Sequence, residues 1–477
     1  MKKCRWLIAV LSIVGLVATT NIQTVNAEKY TGQAIWPSEF IDNIYIKKVK
    51  SDGYIKYQQA RFIRRSEDNK FLYCLQPFVE IDNNYVYNLK KAITNYKVNK
   101  KIVEKLECSG MGCKADENDN YSCQMACPFN AIAFDTLNNT TFINNDICID
   151  CGLCVDACKD GRILDKIEFL PVMDLIKNNE TVIAAVAPAI MGQFGDDVTM
   201  DQLRAAFIKI GFTDMIEVAF AADMLTIKEA VEFNKHVKGP DDLMITSCCC
   251  PMWVGMLKKV YKELIPNLSP SVSPMIAAGR VIKELNKDAK VVFVGPCIAK
   301  KAEAKEKDVA GAIDFVLTFE ELNNIFESLE IHPRDLKGIP SIEYTSKGGR
   351  LYARTGGVSI AVSEAVEELY PDKIKNFKSR KAEGVKECKA VLNEALAGKA
   401  NASFIEGMGC IGGCVGGPKI LVPPEEGKKA VDNFAYDASI KVAVHSKVLD
   451  DVLDKLGITS LKDFEDPKKI NILERKF

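Results

Sequence analysis

A chain of 477 residues is long enough for two to four domains, and its 47% hydrophobic content is that of an ordinary globular protein. Its 63 Lys and Arg against 64 Asp and Glu leave a net charge of −1, which offers no basic face for nucleic acid. The 17 cysteines lie mostly in close-spaced groups between 108 and 158 and between 248 and 414, the pattern of metal ligation in a reducing compartment rather than of disulfide stapling.

The start of the chain argues the other way. Residues 1–28 have the three regions of a secretory signal peptide: Met1-Lys2-Lys3-Cys4-Arg5, the apolar run Trp6–Val17, and a polar stretch ending Val25-Asn26-Ala27. The apolar core is too short for a stable membrane span, and the twin arginine that marks export of a folded protein is missing. Residues 29–99 read as short alternating strands, as in Tyr54-Ile55-Lys56-Tyr57 and Phe71-Leu72-Tyr73-Cys74-Leu75. This part resembles the opening of Gram-positive surface thioester domains, although no complete domain of that kind follows and Cys74 is read as an ordinary buried cysteine. The beginning is therefore a mosaic, an exported-protein start joined to the cysteine-rich remainder. Cluster chemistry favours the cytoplasm and the leader secretion, because clusters assembled in the cytoplasm would not cross a membrane in an unfolded chain.

In residues 100–165 the run Cys148-Ile149-Asp150-Cys151-Gly152-Leu153-Cys154-Val155-Asp156-Ala157-Cys158 has the spacing C-x2-C-x2-C-x3-C. That spacing wraps three thiolates round one cubic 4Fe-4S cluster and sends the fourth to its neighbour. Upstream, Cys123-Gln124-Met125-Ala126-Cys127-Pro128 supplies the x3 step and the proline, and Cys108 and Cys113 stand in for the first two ligands. By the crossing rule one cluster takes Cys108, Cys113, Cys123 and Cys158, and the other Cys127, Cys148, Cys151 and Cys154. Eight cysteines with a C-x3-C-P step are not a zinc-ribbon arrangement. The segment resembles a bacterial two-cluster ferredoxin, which implies a compact α+β pair of βαβ-like halves.

Residues 166–420 alternate apolar strands with amphipathic helices. Strands are predicted at Val182–Ala187, Met215–Ala219, Leu243–Ile245 and Val291–Val294, and helices near 200–211, 222–238, 271–286 and 359–369. Such alternation gives an α/β fold of parallel sheets flanked by helices, with ligand sites at the carboxyl ends of the strands. Cysteines fall there: Cys248, Cys249 and Cys250 after one strand and Cys297 after another.

Three segments then stand out: Thr246-Ser247-Cys248-Cys249-Cys250-Pro251-Met252-Trp253, Gly295-Pro296-Cys297-Ile298-Ala299-Lys300-Lys301-Ala302-Glu303, and Glu406-Gly407-Met408-Gly409-Cys410-Ile411-Gly412-Gly413-Cys414 with the glycines that follow. Three consecutive cysteines before a helix-opening proline cannot all ligate one cluster, because neighbouring side chains diverge. A ligand thiolate and a proton-relay thiol are the two roles implied.

These segments, with Val186-Ala187-Pro188-Ala189 and Thr355-Gly356-Gly357-Val358 between them, resemble the signatures of the iron-only (FeFe) hydrogenases over most of residues 100–420. The resemblance implies a two-lobed catalytic domain and an H-cluster, a 4Fe-4S cube joined through a cysteine sulfur to a diiron subsite bearing CO, cyanide and a bridging dithiolate amine. Cys250, Cys297, Cys410 and Cys414 match the cube ligands, Cys414 being the bridging one. Most of the family has two cysteines where this chain has three. An ungapped register makes Cys249 the relay and places Glu229, Glu232 and Ser269 on the family's proton path. A gapped register, anchored on Thr246-Ser247, makes Cys249 the ligand and Cys248 the relay. Lys300 matches a lysine directed at a cyanide, and Met408 a methionine packed over the diiron centre. Lys301 is expected to be a solvated charge and Glu303 to anchor a loop. Gly295, Ala189, Met275 and His236 depart from the common family residues, which alters surroundings rather than ligands.

Residues 421–477 read as a helical extension covering the domain, Cys388 as a buried structural cysteine, and His332 and His445 as surface or satisfied residues. The function implied is reversible H2 oxidation and proton reduction. Electrons would be relayed by two 4Fe-4S clusters to a soluble carrier such as ferredoxin, and diiron-site maturation proteins would be further partners. The competing class is a non-catalytic, hydrogenase-like iron-sulfur protein of assembly or sensory type.

Overall fold

The computed structural model describes residues 102–105, 121–135, 140–158, 163–179, 181–239 and 241–477, together with the backbone of short strands between 44 and 87. The leader, Cys74, Cys108 and Cys113 lie outside the described residues. Two of the short strands, Tyr54–Lys56 and Leu72–Tyr73, fall inside the stretches whose alternation predicts them.

The cysteine-rich stretch comprises β1 (Val103–Lys105), α1 (Ser122–Met125), β2 (Ile132–Asp135), β3 (Thr140–Ile143), α2 (Leu153–Ala157) and β4 (Ile163–Asp165). β2 and β3 form one antiparallel pair and β1 and β4 another, so the two ends of the stretch meet. Its core is small: Ile102, Val103, Ile132, Val155 and Ile163 around Cys123 and Cys154. A core of that size needs a cross-link or a covering surface to persist. Ile298, from the next region, supplies cover by packing into it.

Beyond 181 the chain is an α/β domain. β5 (Val182–Val186) is buried at every position, as a strand with helices on both faces must be. α3 (Met200–Ile210) opens on a reciprocal cap. The Thr199 hydroxyl accepts the Gln202 N–H at 3.2 Å, and the Gln202 carbonyl oxygen accepts the Thr199 N–H at 2.9 Å. It closes at Gly211, whose φ of +119° suits glycine. There follow β6 (Asp214–Glu217), α4 (Ala219–His236), β7 (Met244–Ile245), α5 (Pro251–Lys259), α6 (Pro274–Leu285), β8 (Lys290–Gly295), α7 (Ala299–Glu303) and β9 (Phe315–Thr318). α8 (Gly357–Leu369), β10 (Ser379–Glu383), α9 (Gly384–Leu396) and β11 (Phe404–Met408) complete the framework. One sheet has the order β6-β5-β8-β9 and the other β7-β11-β10, and every pairing is parallel.

α4 is buried from Ala219 to Phe233 and packs against both α6 and α8. A helix covered all round must satisfy its charged residues inside the protein, and α4 carries Lys228, Glu229 and Glu232. The segment after 420, expected to lie over the domain, packs its apolar side chains into the domain's core. Leu449 and Val452 from α10 (Lys447–Lys455), with Phe464 and Leu473, share a core with Ile183, Ile276 and Val291.

Candidate functional site

Both parallel sheets deliver cysteines from their carboxyl edges. β7 leads through Thr246 to Cys250, which caps α5 with Pro251 in the first turn. β8 leads to Cys297, and β11 leads to Cys410 and, through a 3-10 turn at Gly413–Gly416, to Cys414. The four thiols converge. Cys410 lies in the fields of Cys297, Cys250 and Cys414, and Cys414 in those of Cys297 and Cys250. Burial, then these neighbours, pushes Cys297 up to about 11 and Cys414 up to about 12, so the thiols keep their protons until a cation displaces them.

The donor set, all sulfur with no carboxylate, suits iron-sulfur chemistry and not a hard cation. Backbone N–H groups also point at the sulfurs, as they do around cluster ligands: Gly409 donates to Cys250 Sγ at 3.3 Å, and Lys300 and Ala299 donate to Cys297. Two glycines make room. A Cβ on Gly407 would lie 2.3 Å from the Trp253 ring, and Gly413 has φ of +86° with Thr355 N 2.7 Å from where a Cβ would stand. Trp253 in turn fixes the cysteine loop by donating from Nε1 to Thr246 O at 2.8 Å.

The three consecutive cysteines face three ways. The loop turns at Ser247, which holds a φ of +68°, and closes with Cys250 N donating to Ser247 O at 3.0 Å. Cys250 joins the four-thiol set. Cys249 lies beside Cys414, Cys250 and Lys300 and packs against a cluster that includes Tyr352, Phe404 and Met408. Burial, and then those sulfurs, holds its thiol well above the usual range. Cys248 points away, donating to Ser269 O at 3.0 Å within a core that includes Trp253 and Leu257. Its electrostatic neighbours are Glu229 and Glu232.

Those carboxylates belong to a buried polar chain. Ser269 Oγ donates to Glu232 Oε2 at 2.6 Å and also bonds toward Glu229, and Thr246 Oγ1 donates to Glu229 Oε2. Burial, with the Glu232 charge second, pushes the Glu229 carboxyl up to about 8, so it carries a proton at neutral pH. Cys249 and Glu229 are both neighbours of the buried Tyr352, whose hydroxyl bonds Thr226 Oγ1 at 3.0 Å. Among the described residues no hydrogen bond joins Cys249 to Glu229 directly.

Among the described ferredoxin-type cysteines, Cys154 lies in the fields of Cys151, Cys148, Cys127 and Cys123, and Cys123 in that of Cys158. Ala131 N donates to Cys127 Sγ at 3.2 Å and Asp150 N to Cys148 Sγ at 3.4 Å. Cys151 also lies in the field of Cys410, and a Cβ on Gly152 would strike Ile298 at 2.4 Å, so this group abuts the four-thiol site. Among the described residues no three His, Cys, Asp or Glu side chains close on a single-ion position.

Lys300 is buried and its ammonium meets Glu303 at 2.6 Å, with the Cys297 and Cys249 sulfurs as further neighbours. Lys301, expected in solvent, is fully buried. It pairs with Glu321 at 2.8 Å and Asp165 at 3.6 Å, because α7 turns its second lysine toward β4. Lys419 meets the same Asp165 at 3.4 Å. Cys388 is buried and donates to Met408 O at 3.4 Å, while His332 and His445 are exposed. At Gly295 a Cβ would stand 2.7 Å from the edge of the Phe293 ring, so a methionine there would require that ring to shift. Residues that pattern reading passed over are Lys228, Ser271, Tyr352 and Glu474, each drawn in by tertiary contacts that no local spacing reveals. Glu406 of the third segment accepts from Gly356 N at 2.7 Å and Ser359 N at 2.8 Å, capping α8 and tying two motifs together.

Residues 180–418 match the family described as iron only hydrogenase large subunit, C-terminal domain. The chain is 28% identical over 326 residues to the NADP-reducing hydrogenase subunit HndD of Solidesulfovibrio fructosivorans, a match covering 57% of this chain and 55% of that one. It is 29% identical over 466 residues to iron hydrogenase 1 of Clostridium pasteurianum, covering 76% of this chain and 81% of that one. The FeFe-hydrogenase HydA1 from Chlamydomonas reinhardtii shares its fold, with a TM-score of 0.54 at 22% identity over 65% of this chain and 98% of that one. Among the described residues no helix is long and apolar enough to cross a membrane.

Proposed function

The chain belongs to the iron-only hydrogenase family as a catalytic subunit, and from that premise we propose that it interconverts H2 with protons and electrons at an H-cluster. Cys250, Cys297, Cys410 and Cys414 would hold the cube, with the Cys414 sulfur shared with the diiron subsite. The cluster, when bound, supplies the redox-active iron on which H2 is split or formed. Everything else falls to the protein. Cys249 keeps a proton on its buried sulfur and hands it inward. Glu229, Ser269 and Glu232 connect that thiol to the outside, Ser269 accepting from one carboxyl and donating to the other. Lys300, held by Glu303, would offer its ammonium donors to a cyanide ligand, and the buried Met408 would keep water away. The abutment of the Cys151 group on Cys410 supports an electron route through two 4Fe-4S clusters to a soluble carrier such as ferredoxin.

The observation that carries the reading is a fifth buried thiol, Cys249, set beside Cys414, Cys250 and Lys300. A protein that only stores or transfers clusters has no use for it. After maturation by diiron-assembly proteins, the chain should show infrared bands of CO and cyanide on iron and turn over H2. Cys249→Ser should keep the bands while turnover drops by about a hundred-fold or more, since a hydroxyl releases its proton far less readily than a thiol. A matured, iron-loaded protein without those bands or without turnover would return the chain to the non-catalytic class.

A further inference from the structure

Lys228 is fully buried on α4, one residue before Glu229, and its ammonium has three partners. It pairs with Glu232 Oε1 one helical turn on, donates to Ser271 Oγ at 3.2 Å, and meets Glu474 Oε1 at 3.3 Å. Glu474 comes from the far end of the chain. Its segment runs antiparallel to residues 270–272: Ser271 bridges Glu474, Val272 N donates to Leu473 O at 2.9 Å, and Arg475 N donates to Pro270 O at 2.8 Å. Arg280 adds a bond to Glu474 O at 2.7 Å, and Arg475 clamps Asp308 at 2.8 Å and Glu306 at 2.6 Å. The placement is therefore built from several directions. Side-chain exposure is 10% for Glu232, 0% for Lys228 and 25% for Glu474, so Glu474 is the most open of the three.

We propose that Glu474 is the solvent end of the proton chain and that Lys228 exchanges protons between Glu474 and Glu232. The inference rests on the reading of Glu229, Ser269 and Glu232 as that chain. In the inward direction Glu474 takes a proton from hydronium. Lys228 then gives one of its three N–H protons to Glu232 Oε1 as Glu474 returns one to the same nitrogen. Lysine ends as ammonium and Glu474 as carboxylate, and one proton has moved from water to Glu232. Coupling the two transfers matters. Burial disfavours the ammonium, but Glu232, Glu474 and Glu229 more than offset it, so a free amine would be costly to form as a separate step. The reverse sequence serves H2 oxidation. Ser271, bonded to both Lys228 and Ser269, holds the two legs of the chain in register.

Glu474→Gln keeps an oxygen acceptor for Lys228 but cannot carry a proton. In the matured, full-length enzyme it should lower the maximal H2 turnover about ten-fold. The KM for H2, the iron content and the CO and cyanide bands should stay unchanged, and the solvent deuterium isotope effect should rise. Glu474→Asp, which restores a carboxyl, should recover part of the rate. If Glu474→Gln loses iron, Glu474→Asp alone decides: an isotope effect above that of the unmodified enzyme supports the assignment, and an unchanged one overturns it. Wild-type turnover in Glu474→Gln beside an inactive Glu232→Gln would mean that protons leave from Glu232 directly. Wild-type turnover in both variants would instead remove the proton chain itself.

Discussion

Three adjacent cysteines with one side-chain chemistry end in three environments because the backbone turns sharply at Ser247. Its φ of +68° is a strained choice for a residue with a Cβ, and its hydroxyl is buried without a partner. The strain aims Cys250 at the converging thiols, Cys249 at Lys300, and Cys248 at the Ser269 carbonyl. This disposition accords with the ungapped register, while the nearness of Cys248 to Glu229 and Glu232 is what a gapped one would use. Substitution separates them. Cys250→Ser should cost the matured protein its cube and its CO and cyanide bands, and Cys248→Ser, which can still donate to Ser269 O, should leave both bands and turnover within about two-fold of normal. An inactive Cys248→Ser with intact bands, next to an active Cys249→Ser, would exchange the two roles.

At the level of elements, what was legible in the sequence and what was not divides by the range of the interactions. Val182–Val186 and Lys290–Gly295 lie where their apolar runs predict, since strands buried on both faces announce themselves by composition alone. β10 hides because Ser-Arg-Lys-Ala-Glu buries only Ala382, whereas the two-residue β7 falls inside the predicted strand at Leu243–Ile245. The converging thiols are foreshadowed by short-range motifs, whereas Lys301 was misjudged because nothing in its neighbourhood in sequence reveals β4. Asp165, at the end of β4, is buried between Lys301 and Lys419 and so fastens the small cysteine-rich stretch to the catalytic domain. Burial pushes its carboxyl up, but the two lysines hold it below the usual value. Asp165→Asn leaves Lys301 with Glu321 and Lys419 with Glu320 but removes the carboxylate they share, and should destabilise the docked arrangement by about 1–3 kcal/mol. Denaturant unfolding of the iron-loaded protein would measure it, and a midpoint equal to that of the unmodified chain would show that the staple contributes nothing.

For the whole molecule the question is which parts are needed for one electron and proton circuit. The catalytic domain has one shared interior from β5 to the 470s, so the proton route from Glu474 to the thiols runs within a single packed body. The proposed electron route would leave on another side, where the loop at Ile149–Gly152 packs on Gly255 and Ile298 and the Lys259 ammonium donates to Cys148 O at 2.6 Å. Separate routes let charge and proton cross without sharing groups. Neither proposed route uses a residue before 100, the part whose sequence is read as an exported-protein beginning. Deleting residues 1–95 should therefore leave a protein that, once matured, binds about fourteen irons, four in each of three cubes and two in the diiron subsite. It should also retain the H2 turnover of the full chain. Iron near ten would mean that one of the two relay clusters is not built, and Cys108 and Cys113, the least regular of the eight in spacing, would be the ligands to doubt. Full iron with lost turnover would show instead that the first 95 residues take part in the enzyme, and that the change of character in the sequence does not mark a boundary of function.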